Sequence, residues 1–236
     1  MTTARSAVAP AGSFGNYHCV SRCVRRAWLC GFDKLTGKSY EHRRSWLVDR
    51  MNQLGSIFAV RVLAYCAMSN HLHLALQFDP AWVESWSDQA CAERWTALYG
   101  GPADETDEQR QQRVANLLRK ADKMEQIRVR LCSVSEFMKC LNEHIARMAN
   151  IEDEVTGRFW EGRFKCQRLL DEQALLSVMA YIDLNPVRAG MAEDLESSDY
   201  TSIQQRIRET ARRLDDIDKL IEPVAGVPGP LRCLST

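Results

Sequence analysis

Along the chain the apolar positions switch between a two-residue period and a three-to-four-residue period, and the switches divide it into strands and helices. Segments 17–29, 58–66 and 71–77 read as strands, the first with its turn, and Ser69-Asn70 reads as turn or bulge residues between the other two. Helical spacing appears in 45–54, where Trp46, Leu47, Met51 and Leu54 recur, and in 113–130, where Val114, Leu117, Leu118, Ala121, Met124 and Ile127 form an inward stripe. Ser133-Val134-Ser135-Glu136 offers a capping-box-like start for a helix to about residue 150. Segment 157–170 should be turn and strand. Segment 172–184 should be a helix docked through Leu175, Val178, Met179 and Ile182, ending before Pro186, which forbids continuation. A charged helix over 202–220 and an irregular, proline-containing end over 223–236 complete the pattern. Strands and helices interleaved in this way predict an α+β fold with helices packed on an antiparallel sheet.

Two places carry candidate chemistry. His71 and His73 interrupt an otherwise apolar strand, and residues two apart on a strand share a face, so both imidazoles point the same way. Such a pair is either a partial site for a divalent cation, which needs a third donor, or two hydrogen-bonded residues on a half-exposed strand. Far downstream, Tyr181 and Asn185 lie four apart on one helix face. By spacing alone they read as a core tyrosine and a residue at the helix end.

Composition adds constraints. A chain of 236 residues suits one sizeable domain with elaborations. The formal net charge is zero, which argues mildly against nucleic acid, but the charges are segregated. Residues 1–50 hold nine Lys and Arg, among them Arg22, Arg25 and Arg26, against three acids, a local excess of six. Arg158, Arg163, Lys165 and Arg168 form a second basic group interleaved with Phe159, Trp160 and Phe164, although Phe164 reads better as core. Basic side chains beside exposed aromatics are the combination that holds single strands. Nine scattered cysteines without a CxxC pair describe reduced thiols rather than a disulfide framework, and no run has the length of a signal peptide or membrane span, so a cytoplasmic protein is expected.

In this order, Asn70-His71-Leu72-His73, Phe159-Trp160-Glu161-Gly162-Arg163-Phe164-Lys165 and Tyr181-Ile182-Asp183-Leu184-Asn185-Pro186-Val187-Arg188-Ala189-Gly190 resemble the motifs of single-tyrosine HUH transposases, particularly the REP-associated tyrosine transposases. Tyr17-His18-Cys19-Val20-Ser21-Arg22-Cys23-Val24-Arg25-Arg26 is similar to that family's opening strand and basic turn, and Ser135-Glu136-Phe137-Met138-Lys139 to the start of its mid-chain helix. The resemblance implies a ferredoxin-like HUH domain over 17–202 with a helical insertion at about 82–130, while 1–16 reads as a flexible tail and 203–236 as a C-terminal helix and irregular tail. It implies Tyr181 as nucleophile, Mg²⁺ or Mn²⁺ on His71, His73 and Asn185, and DNA contacts from Arg22, Arg25, Arg26, Arg163 and Lys165. A tyrosine hydroxyl, with an ordinary pKa of about 10, needs such help to attack a phosphate at neutral pH. The implied activity is cleavage and rejoining of single-stranded DNA beside hairpins through a 5′-phosphotyrosine, by a monomer or homodimer that acts away from membranes. A hairpin-DNA-binding regulatory or architectural protein with weak catalysis, and a metal hydrolase using water, are the alternatives. Two positions depart from the family pattern: Ser69 stands where many relatives have proline, and Asp183, pointing away from Tyr181, is not assigned to the metal.

Overall fold

The computed structural model describes residues 4–24, 27–99, 101–102, 104–212 and 225–226. In chain order the elements are α1 (Arg5–Val8), β1 (Gly15–Arg22), a small hairpin of β2 (Phe32–Asp33) and β3 (Lys38–Ser39), α2 (Arg43–Ile57), β4 (Val60–Ala67) and β5 (His71–Phe78). There follow α3 (Pro80–Glu84), α4 (Asp88–Leu98), α5 (Asp107–Leu118), α6 (Ala121–Leu131), α7 (Val134–Glu152), β6 (Lys165–Leu169), α8 (Glu172–Arg188), α9 (Ser202–Arg212) and β7 (Ala225–Gly226). Five strands make one antiparallel sheet in the order β6-β1-β5-β4-β7. The run β1-α2-β4-β5-α7-β6 is a β-α-β-β-α-β unit with ferredoxin-like strand order, so the α+β class read from the sequence holds.

Alternation on the strands gives the sheet two different faces. On one, Leu72, Leu74, Leu76 and Phe78 of β5 and Tyr17 and Cys19 of β1 are buried beneath α2 and α7. Phe137 anchors that layer, its ring centroid 5.6 Å from Phe58 and 6.2 Å from Phe78. On the other face, Ala64, Cys66, Ala75 and Leu169 meet Leu175, Met179 and Ile182, the stripe that docks α8. A register shift between Val62 and Ala64 of β4 sets Leu63 on this second face as well. The turn between β4 and β5 is closed by the His71 carbonyl, which accepts from the Met68 N–H at 2.8 Å.

Three expectations need correction. The stripe over 113–130 is two helices: Lys120, at φ −118° and ψ 85°, breaks the run so that α5 and α6 can each pack on α4. Val114, Met124 and Ile127 do face inward, whereas Leu118 and Ala121 are exposed. The tyrosine helix runs through Pro186 rather than stopping before it. A proline in the last turn forfeits a single i→i−4 bond, and the end is closed beyond it by Gly190 at φ +66°, whose N–H donates to Val187 O while the Met191 N–H donates to Pro186 O. Near the N-terminus, Ala9 is buried and the Gly12 N–H donates to Cys132 O at 2.8 Å, so the segment expected as a free tail packs on the end of α6. The helix expected from Ser133 is present: the serine hydroxyl accepts from the Glu136 N–H, while the Glu136 carboxylate turns to Arg130 instead of closing a box. Of the expected 202–220 helix, the part beyond 212 lies outside the described residues, as does most of 223–236. Among the described residues no helix is long and apolar enough to cross a membrane.

Candidate active site

The second sheet face changes character along its length. Beside the apolar patch under α8, the positions facing α8 on β5 and β1 become His71, His73, His18 and Arg22, because register sets Arg22 opposite His71, Val20 opposite His73 and His18 opposite Ala75. Tyr181 arrives over them from α8. Its ring meets His73 edge-on with centroids 5.5 Å apart, and His18 at 6.2 Å. At 42% exposure it is no core tyrosine, which sets aside the reading that spacing alone favoured. The rings of His71 and His73 lie 4.9 Å apart, as two residues on one strand face require.

These groups border a cavity of about 230 Å³ lined by Val20, Arg22, His71, His73, Glu161, Gly162, Arg163, Lys165 and Tyr181. Strand β6 pairs with β1 so that Lys165 stands opposite Val20, and the Glu161 N–H donates to Arg22 O at 2.9 Å, which ties the 161–163 loop to the cavity rim. Arg22, Arg163 and Lys165 therefore line the same cavity as the histidines and the tyrosine. Arg25 and Arg26 lie outside the described residues.

Much of the remaining basic character is spent internally. Arg43 is fully buried and holds Glu152, Asp153 and the Trp28 carbonyl, and Arg44 pairs with Glu41 and donates to Asp199 O. The interleaved aromatics are spent likewise: Phe159 and Phe164 are buried, and the Trp160 indole donates to Asn142 O at 2.9 Å. Only Phe164 was expected in the core; the stacking role considered for the others gives way to packing.

The imidazoles are held as neutral donors. Burial pushes the pKa of His73 down to about 3, helped by the neighbouring His71 and His18. Burial lowers His71 as well, with Arg22 adding to the effect, and burial alone lowers His18. His71 Nδ1 is 2.7 Å from Asn70 Oδ1, and His73 Nδ1 is 3.0 Å from His18 Nε2. Among the described residues, Nε2 of His71 and of His73 makes no hydrogen bond to the protein. Two neutral imidazoles with free nitrogens are a donor set suited to a divalent cation. No cluster of three His, Cys, Asp or Glu side chains among the described residues could complete it. The remaining candidate, Asn185, sits one turn beyond Tyr181, half-buried and outside the cavity lining, and its Nδ2 is buried without a partner. That unpaired N–H₂ is a donor, which an acceptor such as a phosphate oxygen can satisfy, so any hold on a cation falls to Asn185 Oδ1.

Helix α8 is fixed at both ends of this arrangement. Asp171 caps it by accepting from the Ala174 N–H at 2.6 Å. Asp183 points away from the cavity, as its offset from Tyr181 required, and is buried against α9. Ser202 Oγ donates to one carboxylate oxygen at 2.8 Å and Arg206 Nη2 to the other at 2.5 Å, while Arg206 Nη1 donates to the Leu63 carbonyl at 2.7 Å. Burial raises the Asp183 pKa and Arg206 works against that rise. Sequence reasoning did not find His18 or Glu161 as members of the site. Glu161 could have been suspected from its place between Arg158 and Arg163 in the sequence; His18 gave no signal, because its link to His73 spans 55 residues and exists only through the β1–β5 register.

The class defined here is an α+β domain with a ferredoxin-like sheet and a histidine–tyrosine cavity on one face. No family model matches the chain, and no characterised protein matches it in sequence. Among solved structures, the chain is similar to a REP-associated tyrosine transposase bound to a REP hairpin, at 11% identity and a TM-score of 0.47, over 100% of both chains.

Proposed function

We propose that this protein is a metal-dependent single-stranded DNA endonuclease and transposase that cleaves and rejoins DNA beside hairpins, with Tyr181 as nucleophile. The observation that carries the reading is the cavity itself, where an exposed tyrosine, two neutral histidines with free nitrogens and three cationic side chains border one space. Arg22, Arg163 and Lys165 bind and orient the phosphate backbone. A divalent cation, Mg²⁺ or Mn²⁺, held by His71 and His73 with Asn185 Oδ1 as third donor, would supply polarisation of the scissile phosphate and neutralise charge on its oxygens. The Tyr181 oxygen forms a bond to phosphorus as the bond to the 3′ oxygen breaks. The phenolic proton leaves towards solvent, to which the ring is open, and the departing oxygen takes up a proton to become a 3′-hydroxyl. Because the phosphotyrosine retains the bond energy, the reverse attack by a 3′-hydroxyl rejoins DNA without a nucleotide triphosphate.

The test is incubation with labelled hairpin oligonucleotides and Mn²⁺ or Mg²⁺, resolved on a denaturing gel. The parent should form a covalent adduct that vanishes with chelator and in Tyr181→Phe, while hairpin affinity stays within about twofold, since the variant removes one exposed hydroxyl. A Tyr181→Phe protein that cleaves as well as the parent would remove the tyrosine from the chemistry. The position of Asn185 outside the cavity lining favours a second reading, a hairpin-binding regulatory protein with weak cleavage. Hairpin binding with no adduct in either metal would establish it.

A further inference from the structure

We propose that His18 is a positioning residue whose Nε2 accepts a hydrogen bond from His73 Nδ1–H, and so holds His73 in the tautomer that leaves its Nε2 lone pair free for a divalent cation. The inference rests on the metal-dependent reading above.

The two nitrogens are 3.0 Å apart, and the rings lie nearly parallel, 20° between planes with centroids at 5.2 Å. A neutral imidazole carries one N–H and one lone pair, so within this pair one ring donates and the other accepts. If His18 donated, the proton of His73 would sit on Nε2 and that nitrogen could not ligate. If His73 donates, its Nε2 is a ligand, and the proton of His18 sits on Nδ1.

The strand register makes the contact possible. His18 stands opposite Ala75, and His73 is the diagonal neighbour two residues along, within reach of a ring side chain. The small Ala75 gives the His18 ring space to lean towards His73. His71 is arranged in parallel, with Nδ1 2.7 Å from Asn70 Oδ1, an acceptor that leaves its Nε2 free in the same sense. Each histidine of the pair thus has its own acceptor on Nδ1. Acceptors of this kind fix ring orientation and tautomer at metal sites, and their loss typically costs about 10–100-fold in metal affinity.

The test uses the whole protein with Mn²⁺ alone. Free Mn²⁺ is measured by electron paramagnetic resonance, and the tautomers are read from long-range ¹H–¹⁵N correlation spectra of the imidazoles. The parent should show His73 protonated on Nδ1. His18→Phe, which keeps a ring but no acceptor, should bind Mn²⁺ about 10–100-fold more weakly, and His18→Gln, whose side-chain oxygen can accept, should recover most of the loss. Unchanged Mn²⁺ affinity in His18→Phe overturns the inference while leaving the metal reading intact; a parent His73 protonated on Nε2 overturns the inference and also takes that nitrogen out of the ligand set. A parent that binds no Mn²⁺ overturns both. Should His18→Phe fail to fold, the glutamine variant and the tautomer of the parent still decide.

Discussion

Residues of one strand, β5, show two ways of using a buried surface. Leu72, Leu74, Leu76 and Phe78 face α2 and α7 and are fully or almost fully buried in a layer of hydrocarbon and aromatic rings. His71, His73, Ala75 and Gln77 alternate with them and face the other way. There only Ala75 joins an apolar cluster; Gln77 donates to Asn16 Oδ1 at 3.0 Å, and the histidines border the cavity. Burial on the first face stabilises the fold through apolar area alone. On the second, each buried polar group needs a partner, and its arrangement can be read as preparation for a ligand. Stability should therefore be concentrated on one side of the sheet and chemistry on the other.

The largest expected effect comes from the apolar side. Phe78→Ala removes a ring that meets Phe137 and Tyr17, and should cost about 3–5 kcal/mol in urea unfolding. His73→Ala, five residues earlier on the opposite face, should abolish the DNA adduct while costing far less stability. Equal destabilisation by the two would break the contrast between the faces. Next is the lock behind the tyrosine helix. Asp183→Ala leaves Arg206 buried without its carboxylate and should cost about 3 kcal/mol, much of it recovered when Arg206→Met is added, because the pair itself carries a desolvation penalty. A single variant as stable as the parent would show that α9 does not hold α8.

The histidine face also predicts a pH dependence. His73 is neutral in the folded state down to about pH 3, whereas in the unfolded chain it protonates near 6.5. As pH falls below 6.5 the unfolded state binds the extra proton, so folding stability drops, by about 1.4 kcal/mol for each pH unit from this group until the folded value is reached. His18 and His71 are shifted in the same direction. His73→Gln should flatten the slope of stability between pH 4 and 6; an unchanged slope would assign the acid sensitivity to other groups.

How much of this could be read from the sequence follows from the range of the interactions. The His71/His73 pair, the stripe Leu175, Val178, Met179 and Ile182, and the Ser133 cap were legible because each is set within a few residues by a strand or helix period. The exposure of Tyr181 was not, since a helical wheel cannot tell the edge of a docked face from its centre. Nor was the break at Lys120, which carries no glycine or proline and exists so that α5 and α6 can both reach α4. Arg43 and Arg44 counted as surface charge in the sequence, yet their partners are Glu152, Asp153, Glu41 and the Asp199 carbonyl, three of them more than a hundred residues away. His18 belongs to the same class: a residue whose role depends on register rather than on spacing.

The smallest effect tests whether the tyrosine helix is held by its ends or by its face. Asp171 accepts from the Ala174 N–H at the start of α8, away from the cavity and from the Asp183 lock. Losing an N-cap of this kind costs about 1 kcal/mol, because one helix N–H is left to water. Leu175, Met179 and Ile182 remain packed on Ala64, Cys66, Ala75 and Leu169, so the position of Tyr181 over His73 should not change. Asp171→Ala should therefore lower the unfolding midpoint slightly while leaving adduct formation within about twofold of the parent, since a cap acts within the first turn. A loss of adduct out of proportion to that small destabilisation would mean that the first turn of α8, and not its packed face, sets the tyrosine against the histidines.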